Sequence, residues 1–212
     1  MQQQNQQINM NQQNMPMNHG GHEVFDLQEV LSGMISVLDQ YIMFRQYVKD
    51  PELLDMLDRQ YQFISNHYNI TVECFKTGRK PAQETSTYMM KQDRQVTYGI
   101  KAAQPKKPCQ SLSEVKDAGL SGHMLGLIKS QTTMLTMAAL ESTNPVVRRV
   151  VADQIPNYIE MAYEIFLYQN KHEYYQVPQL SPEDMQKATA SFAPANGNPQ
   201  MPNAGSNQGT LH

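Results

Sequence analysis

Apolar residues recur at intervals of three and four along four stretches of the chain, the spacing of one buried face of an α-helix. Leu27, Val30, Leu31, Met34, Leu38, Tyr41, Ile42 and Val48 predict a helix from about Asp26 to Lys49. Leu53, Leu57, Tyr61, Ile64, Tyr68, Val72 and Phe75 predict a second from Pro51 to Lys76. Met124, Leu127, Ile128, Met134, Leu135 and Ala138 mark a third, from Gly119 to Ser142. Val147, Val151, Ile155, Tyr158, Ala162, Ile165 and Phe166 mark a fourth, from Pro145 to Tyr174. Pro156 interrupts the last and predicts a kink, because proline removes one intrahelical hydrogen bond and crowds the carbonyl of Ala152.

The boundaries have a chemistry of their own. Asp50-Pro51 and Asn144-Pro145 each place a capping side chain before a proline at the first helical position. Gly78 is a stop signal. Laying Asp50 on Asn144 aligns the two halves, Leu53 with Val147, Leu57 with Val151, Gln60 with Gln154 and Ile64 with Tyr158. The expected fold is therefore all-α: an antiparallel four-helix bundle of ferritin-like topology over residues 23–180. It is built from hairpins 26–77 and 119–176 joined by a long crossover, 78–118. About 40 connecting residues suffice to run the length of such helices. The crossover carries Pro81, Pro105 and Pro108, with 8 Lys and Arg against 4 Asp and Glu. It reads as a solvated, mildly basic connection in which Tyr88 to Lys101 forms a short helix or an extended piece.

Composition changes the picture at the ends. Gln and Asn fill 12 of the first 18 positions, too little apolar surface to offset ordering entropy, so residues 1–22 are expected to be a disordered tail with His19-Gly20-Gly21-His22 as its hinge. Residues 181–212 are expected to be mostly disordered, with a short helix starting at Ser181-Pro182-Glu183-Asp184. Methionine is common at 15 and tryptophan absent, a composition suited to filling gaps between helices. The formal charge of −3 argues against a nucleic-acid partner. No run of about 18 apolar residues predicts a membrane span, and the amino terminus lacks the basic and apolar regions of a secretory signal.

The chemistry such a bundle could host is not written in the sequence. A carboxylate-bridged di-metal centre needs Glu-x-x-His on two helices. His67 follows Ile64 and His172 follows Gln169, His123 and Glu141 lie far apart, and Glu160 and Glu164 fall off the apolar stripe. Cys74 and Cys109 form no disulfide framework and no CxxC pair, and Cys74 has no assignable His-and-acid partner. Phosphate-binding glycine motifs are missing. No catalytic, cofactor-binding or metal residue is therefore assigned, and no cofactor is expected. The tyrosines Tyr158, Tyr163, Tyr168, Tyr174 and Tyr175 read as packing and surface aromatics, with oxidative cross-linking through their phenols as the alternative.

Three segments together resemble the spore coat protein F family of endospore-forming bacteria. They are Tyr98-Gly99-Ile100 with Gln104-Pro105; Ala138-Ala139-Leu140-Glu141 leading to Asn144-Pro145-Val146-Val147-Arg148; and Tyr174-Tyr175-Gln176-Val177-Pro178-Gln179-Leu180. The resemblance covers 98–180, with 26–77 as a weaker hairpin. It implies a ferritin-like helical fold and a structural, non-enzymatic role in the spore coat or spore periphery after synthesis in the cytoplasm of the sporulating cell. The implied partners are other spore coat proteins or a second copy. Cys74, Cys109, tyrosines and tail glutamines offer groups for cross-linking. A degenerate ferritin-like metal-binding or redox protein is the alternative. Pro156 has no counterpart in the family pattern.

Overall fold

In a computed structural model that describes residues 19–197, the chain is all-helical. The disorder expected of 1–18 and of the end beyond 197 lies outside the described residues. Four long helices carry the core: α1, Gly21–Arg45; α2, Pro51–Thr77; α3, Asp117–Glu141; and α4, Pro145–Lys171. A 3₁₀ turn, Leu112–Glu114, precedes α3. The segment from Pro178 onward is a separate compact unit containing α5, Pro182–Ala190. Ser181 caps that helix through the Asp184 amide, at the start expected from the sequence.

Both Asx-Pro devices cap as expected. The Asp50 side chain accepts from the Glu52 amide, and that of Asn144 from the amides of Val146 and Val147. Each such cap contributes about 1 kcal/mol. Both boundaries of α1 differ most from the periodicity, and α4 ends at Lys171, three residues short of Tyr174. α1 begins at Gly21, so His19 to His22 is not a hinge. The His19 ring lies against Phe75, and the Glu23 carboxylate accepts from the Gly20 amide. α1 also stops at Arg45, because the amides of Tyr47 and Val48 both turn back to the Phe44 carbonyl. α4 continues through Pro156.

α1 packs on α2 and α3, and α4 packs on the same two. Glu23 at the start of α1 bonds Thr143 and Asn144, between α3 and α4. At the opposite end the Lys49 amide donates to Asp117 at the start of α3, and the Tyr168 hydroxyl in the last turn of α4 donates to Asp50. Each packed pair is therefore antiparallel, and residues 78–116 must travel from one end of the bundle to the other.

They do so as a strap between α2 and α4. The amides of Ala82 and Ser86 donate to Glu73 and His67, stepping backward along α2. The amides of Tyr88, Lys91 and Thr97 donate to Asn157, Glu164 and Asn170, stepping forward along α4. Gly99 then donates to the Val177 carbonyl, in the left-handed conformation that its φ of 107° requires. The crossover is solvated as expected, with Pro81 and Tyr88 its buried residues, but it is docked on the bundle rather than loose. The segment is extended, and side chains of α2 and α4 bind its backbone amides at intervals along its path.

The core layers also hold more polar residues than the apolar stripes suggested. Tyr61, Val72, Ile155 and Ala162 sit at the edges of the buried faces, whereas Gln60, His67, Thr71, Gln154, Asn157 and Glu164 lie in them. Every packed pair of helices is crossed by a buried polar bond. Tyr41 donates to Gln60 between α1 and α2. Gln131 donates to the Val30 carbonyl between α3 and α1. Gln60 and Gln154 join α2 and α4 through the Met161 carbonyl and Thr71, and Gln169 reaches Ser121 between α4 and α3. Apolar burial contributes roughly 1.5–3 kcal/mol per large side chain whatever its register. The amides penalise a slipped register, because a slip would strand them without partners. Gly33 allows the closest approach: a Cβ there would lie 2.2 Å from Gln131 Oε1.

Candidate functional site

Three polar clusters are built into this frame. The central one joins α2, α4 and the strap. Glu164, fully buried on α4, receives Arg59 Nη2 at 2.7 Å on Oε1, the Lys91 amide at 2.8 Å on the same oxygen, and the Tyr88 hydroxyl on Oε2. Gln60 Nε2 approaches Oε2 at 3.4 Å. Arg59 also donates to Tyr88 at 2.7 Å and to Asp55 at 2.7 Å, and Lys91 Nζ meets Asp55 at 2.9 Å. Burial pulls the Arg59 guanidinium down, but its bonds to Glu164 and Asp55 outweigh that and hold it above the usual range. Burial, then the bond to Glu164, pushes the Tyr88 phenol far up. Sequence periodicity placed Glu164 off the buried face. The structure corrects this, because a guanidinium, a phenol and a backbone amide compensate the carboxylate inside the core.

This arrangement fixes the strap; it leaves little for a metal. Glu164 is the carboxylate of the central layer among the described residues, and its oxygens face a cation and three other donors. His67 is spent on the backbone, its Nδ1 at 3.0 Å from the Phe63 carbonyl and its Nε2 accepting from the Ser86 amide. Burial lowers its pKa. His123 lies against Phe44, Glu160 pairs with Arg94, and neither is brought to Glu164 by any recorded contact.

The second cluster closes one end of the bundle. Glu23, fully buried, accepts from Thr143 Oγ1 at 2.6 Å, the Thr143 amide at 2.9 Å and the Asn144 amide at 3.0 Å, and its Oε1 lies 3.0 Å from His19 Nδ1. Nε2 of the same ring is 2.8 Å from the Phe75 carbonyl. Burial raises the Glu23 pKa, but the bonds from Thr143, Asn144 and His19 outweigh it and hold the carboxyl below its ordinary value. Nearby Cys74 is buried, and that burial, with Glu23 and Glu73 beside it, pushes its thiol up to about 11, far from nucleophilic range. Cys109 is exposed on the crossover.

The third cluster sits at the other end, where Asp50 and Glu52 at the start of α2 meet His172 at the close of α4. Spacing did not bring the three together: Asp50 reads as a cap, His172 follows Gln169 rather than a Glu-x-x-His pattern, and Glu52 carries no signal. The signal was present only as a capping Asp and a terminal His more than a hundred residues apart.

Three comparisons bear on what the chain is similar to. Residues 116–178 match the Coat F domain family. The chain is 59% identical over 193 residues to the spore coat protein F-like protein YhcQ of Bacillus subtilis (strain 168), an alignment spanning 91% of this chain and 89% of that protein. Its backbone is also similar to a crystal structure described as that of a spore coat protein from Bacillus halodurans C-125. That match has a TM-score of 0.55 and 14% identity, and covers 76% of this chain and 94% of the other. At that identity the likeness speaks to fold alone.

Proposed function

Because this chain belongs to the spore coat protein F-like family, we propose that it is a structural component of the bacterial spore coat, made in the cytoplasm of the sporulating cell and acting by assembly with other coat proteins or with further copies of itself. The observation that carries this reading is the 59% identity sustained over nine-tenths of the chain. The interior supports it. Among the described residues the two fully buried carboxylates, Glu23 and Glu164, are each engaged by several protein donors, which serves the core's own geometry. The surface supports it as well: Met137, Leu140 and Ile159 are more than half exposed, apolar area of the kind that assembly buries. We also propose that the antiparallel pairing with an end-to-end crossover is ferritin-like in topology. The degenerate redox reading of that topology is not favoured, because Arg59, Gln60, Tyr88 and the Lys91 amide already engage both oxygens of Glu164. No described helix is long and apolar enough to cross a membrane.

The test is to follow a tagged copy through sporulation and fractionate the purified spores. Recovery with the detergent- and alkali-extractable coat layers is the expected result. Recovery in vegetative lysate or the spore core, with none in the coat fraction, would reject the reading.

A further inference from the structure

Asp50, Glu52 and His172 come from opposite ends of the sequence into one corner of the bundle. His172 Nε2 lies 3.6 Å from Asp50 Oδ2 and 3.8 Å from Glu52 Oε2, and the three atoms are all within 4.8 Å of one another. These separations are too long for hydrogen bonds. Bonds of about 2.1 Å from a tetrahedral ion would set its ligands roughly 3.4 Å apart, only a few tenths shorter than the two spacings found. Nε2 is itself shut off from solvent and has no hydrogen-bond partner among the described residues, although it faces two carboxylates.

The ligand atoms are held from behind. The His172 ring lies against Tyr168 at 4.5 Å and stacks on Tyr174 at 5.5 Å. Asp50 is fixed through Oδ1 by its cap bond to the Glu52 amide and through Oδ2 by the Tyr168 hydroxyl at 2.9 Å. Gln92 Nε2 holds Glu52 Oε1 at 2.8 Å. Lys171 Nζ stands 2.9 Å from Glu52 Oε2, on a side chain that is 60% exposed and free to swing out. The carbonyl end of α4 favours a cation here, and Asp50 already takes up the Glu52 amide at the opposing amino end of α2.

We propose that Asp50 Oδ2, Glu52 Oε2 and His172 Nε2 form a mononuclear site for a divalent ion of the zinc class, with water completing the shell and Lys171 displaced on binding. One imidazole and two carboxylates suit borderline ions such as Zn²⁺ better than Ca²⁺ or Mg²⁺, which take oxygen-rich shells. The ion would tie the first turn of α2 to the end of α4. The site is independent of the coat reading, and its test does not involve spores.

The full-length chain titrated with ZnCl₂ in a calorimeter is expected to take up one ion. His172→Ala and Asp50→Asn should each weaken uptake at least about tenfold, with the helix signal in circular dichroism retained; asparagine keeps the capping oxygen. Lys171→Met should tighten it. X-ray absorption of the loaded wild-type chain should show nitrogen and oxygen neighbours only. The proposal is overturned by failure of the wild-type chain to bind one equivalent, by uptake that survives both substitutions, or by a sulfur neighbour, which would put the ion on a cysteine instead.

Discussion

Arg59 and Glu164 lie 105 residues apart in sequence and 2.7 Å apart in the folded chain, and the same carboxylate holds the strap through the Lys91 amide and the Tyr88 hydroxyl. One pair, a half-buried guanidinium on a buried carboxylate, therefore joins α2, α4 and the crossover. Arg59→Ala leaves that carboxylate without its cation and is expected to cost about 3–5 kcal/mol. Urea denaturation would read the loss directly. Hydrogen exchange at Lys91 should accelerate in the same variant. A change below about 1 kcal/mol with an unaltered Lys91 amide would mean that the pair does not bear on the strap.

Two core tyrosines should respond in opposite ways to losing their hydroxyls. Tyr41 donates to Gln60 at 2.8 Å, whereas the Tyr158 hydroxyl is buried with no partner among the described residues. Tyr41→Phe leaves a buried amide oxygen unpaired, at a cost of about 1–3 kcal/mol. Tyr158→Phe removes an unpaired group and is expected to leave stability unchanged or raise it by about 1 kcal/mol. Paired thermal denaturation at neutral pH checks the order.

Acid should open the end of the bundle that Glu23 closes. Its carboxyl is held below the ordinary value of 4.5 in the folded state. A folded pKa below the unfolded one gives stability that is fully present above the unfolded value and is lost as pH falls through the folded one. Glu23→Gln should therefore lower the denaturation midpoint at neutral pH and flatten its decline below about pH 4.5. A variant whose stability falls in parallel with wild type down to pH 3 would show that another group carries the acid response.

Glycines offer a control of opposite sign. Gly78 ends α2 at φ 62°, and a Cβ there would lie 3.1 Å from Asn144 Nδ2, whose amide donates to the Gly78 carbonyl. Gly78→Ala is expected to destabilise by about 1 kcal/mol or more. Gly126 is exposed within α3, and a Cβ there meets nothing within 4 Å. Gly126→Ala should stabilise by roughly 0.5–1 kcal/mol. Equal effects at the two positions would contradict the local geometry of both.

What could be read from the residues was the part that depends on near neighbours. Spacing of three and four found the four long helices, because a helix buries one face by its own geometry. Asp50-Pro51 and Asn144-Pro145 announced their starts, because a cap is a bond to an amide two or three residues on. The ordered segments around Tyr98, Asn144 and Tyr174 were enough to indicate the family. The same spacing misplaced Glu164, and composition read His19 as part of a hinge, because polarity alone gives no sign that a charged or imidazole side chain will be buried.

Those positions were decided by assembly. Glu164 is tolerable inside because Arg59, Tyr88 and Lys91 arrive from two other segments, and His19 is ordered because Glu23 and the Phe75 carbonyl stand on either side of it. The crossover is anchored along α2 and α4 for the same reason, and Asp50, Glu52 and His172 become neighbours only when the second hairpin closes on the first. Apolar burial adds up along a single helix and so leaves its trace in the one-dimensional pattern. Compensation of a buried polar group is a pairwise matter between distant residues, so only the tertiary structure could settle it.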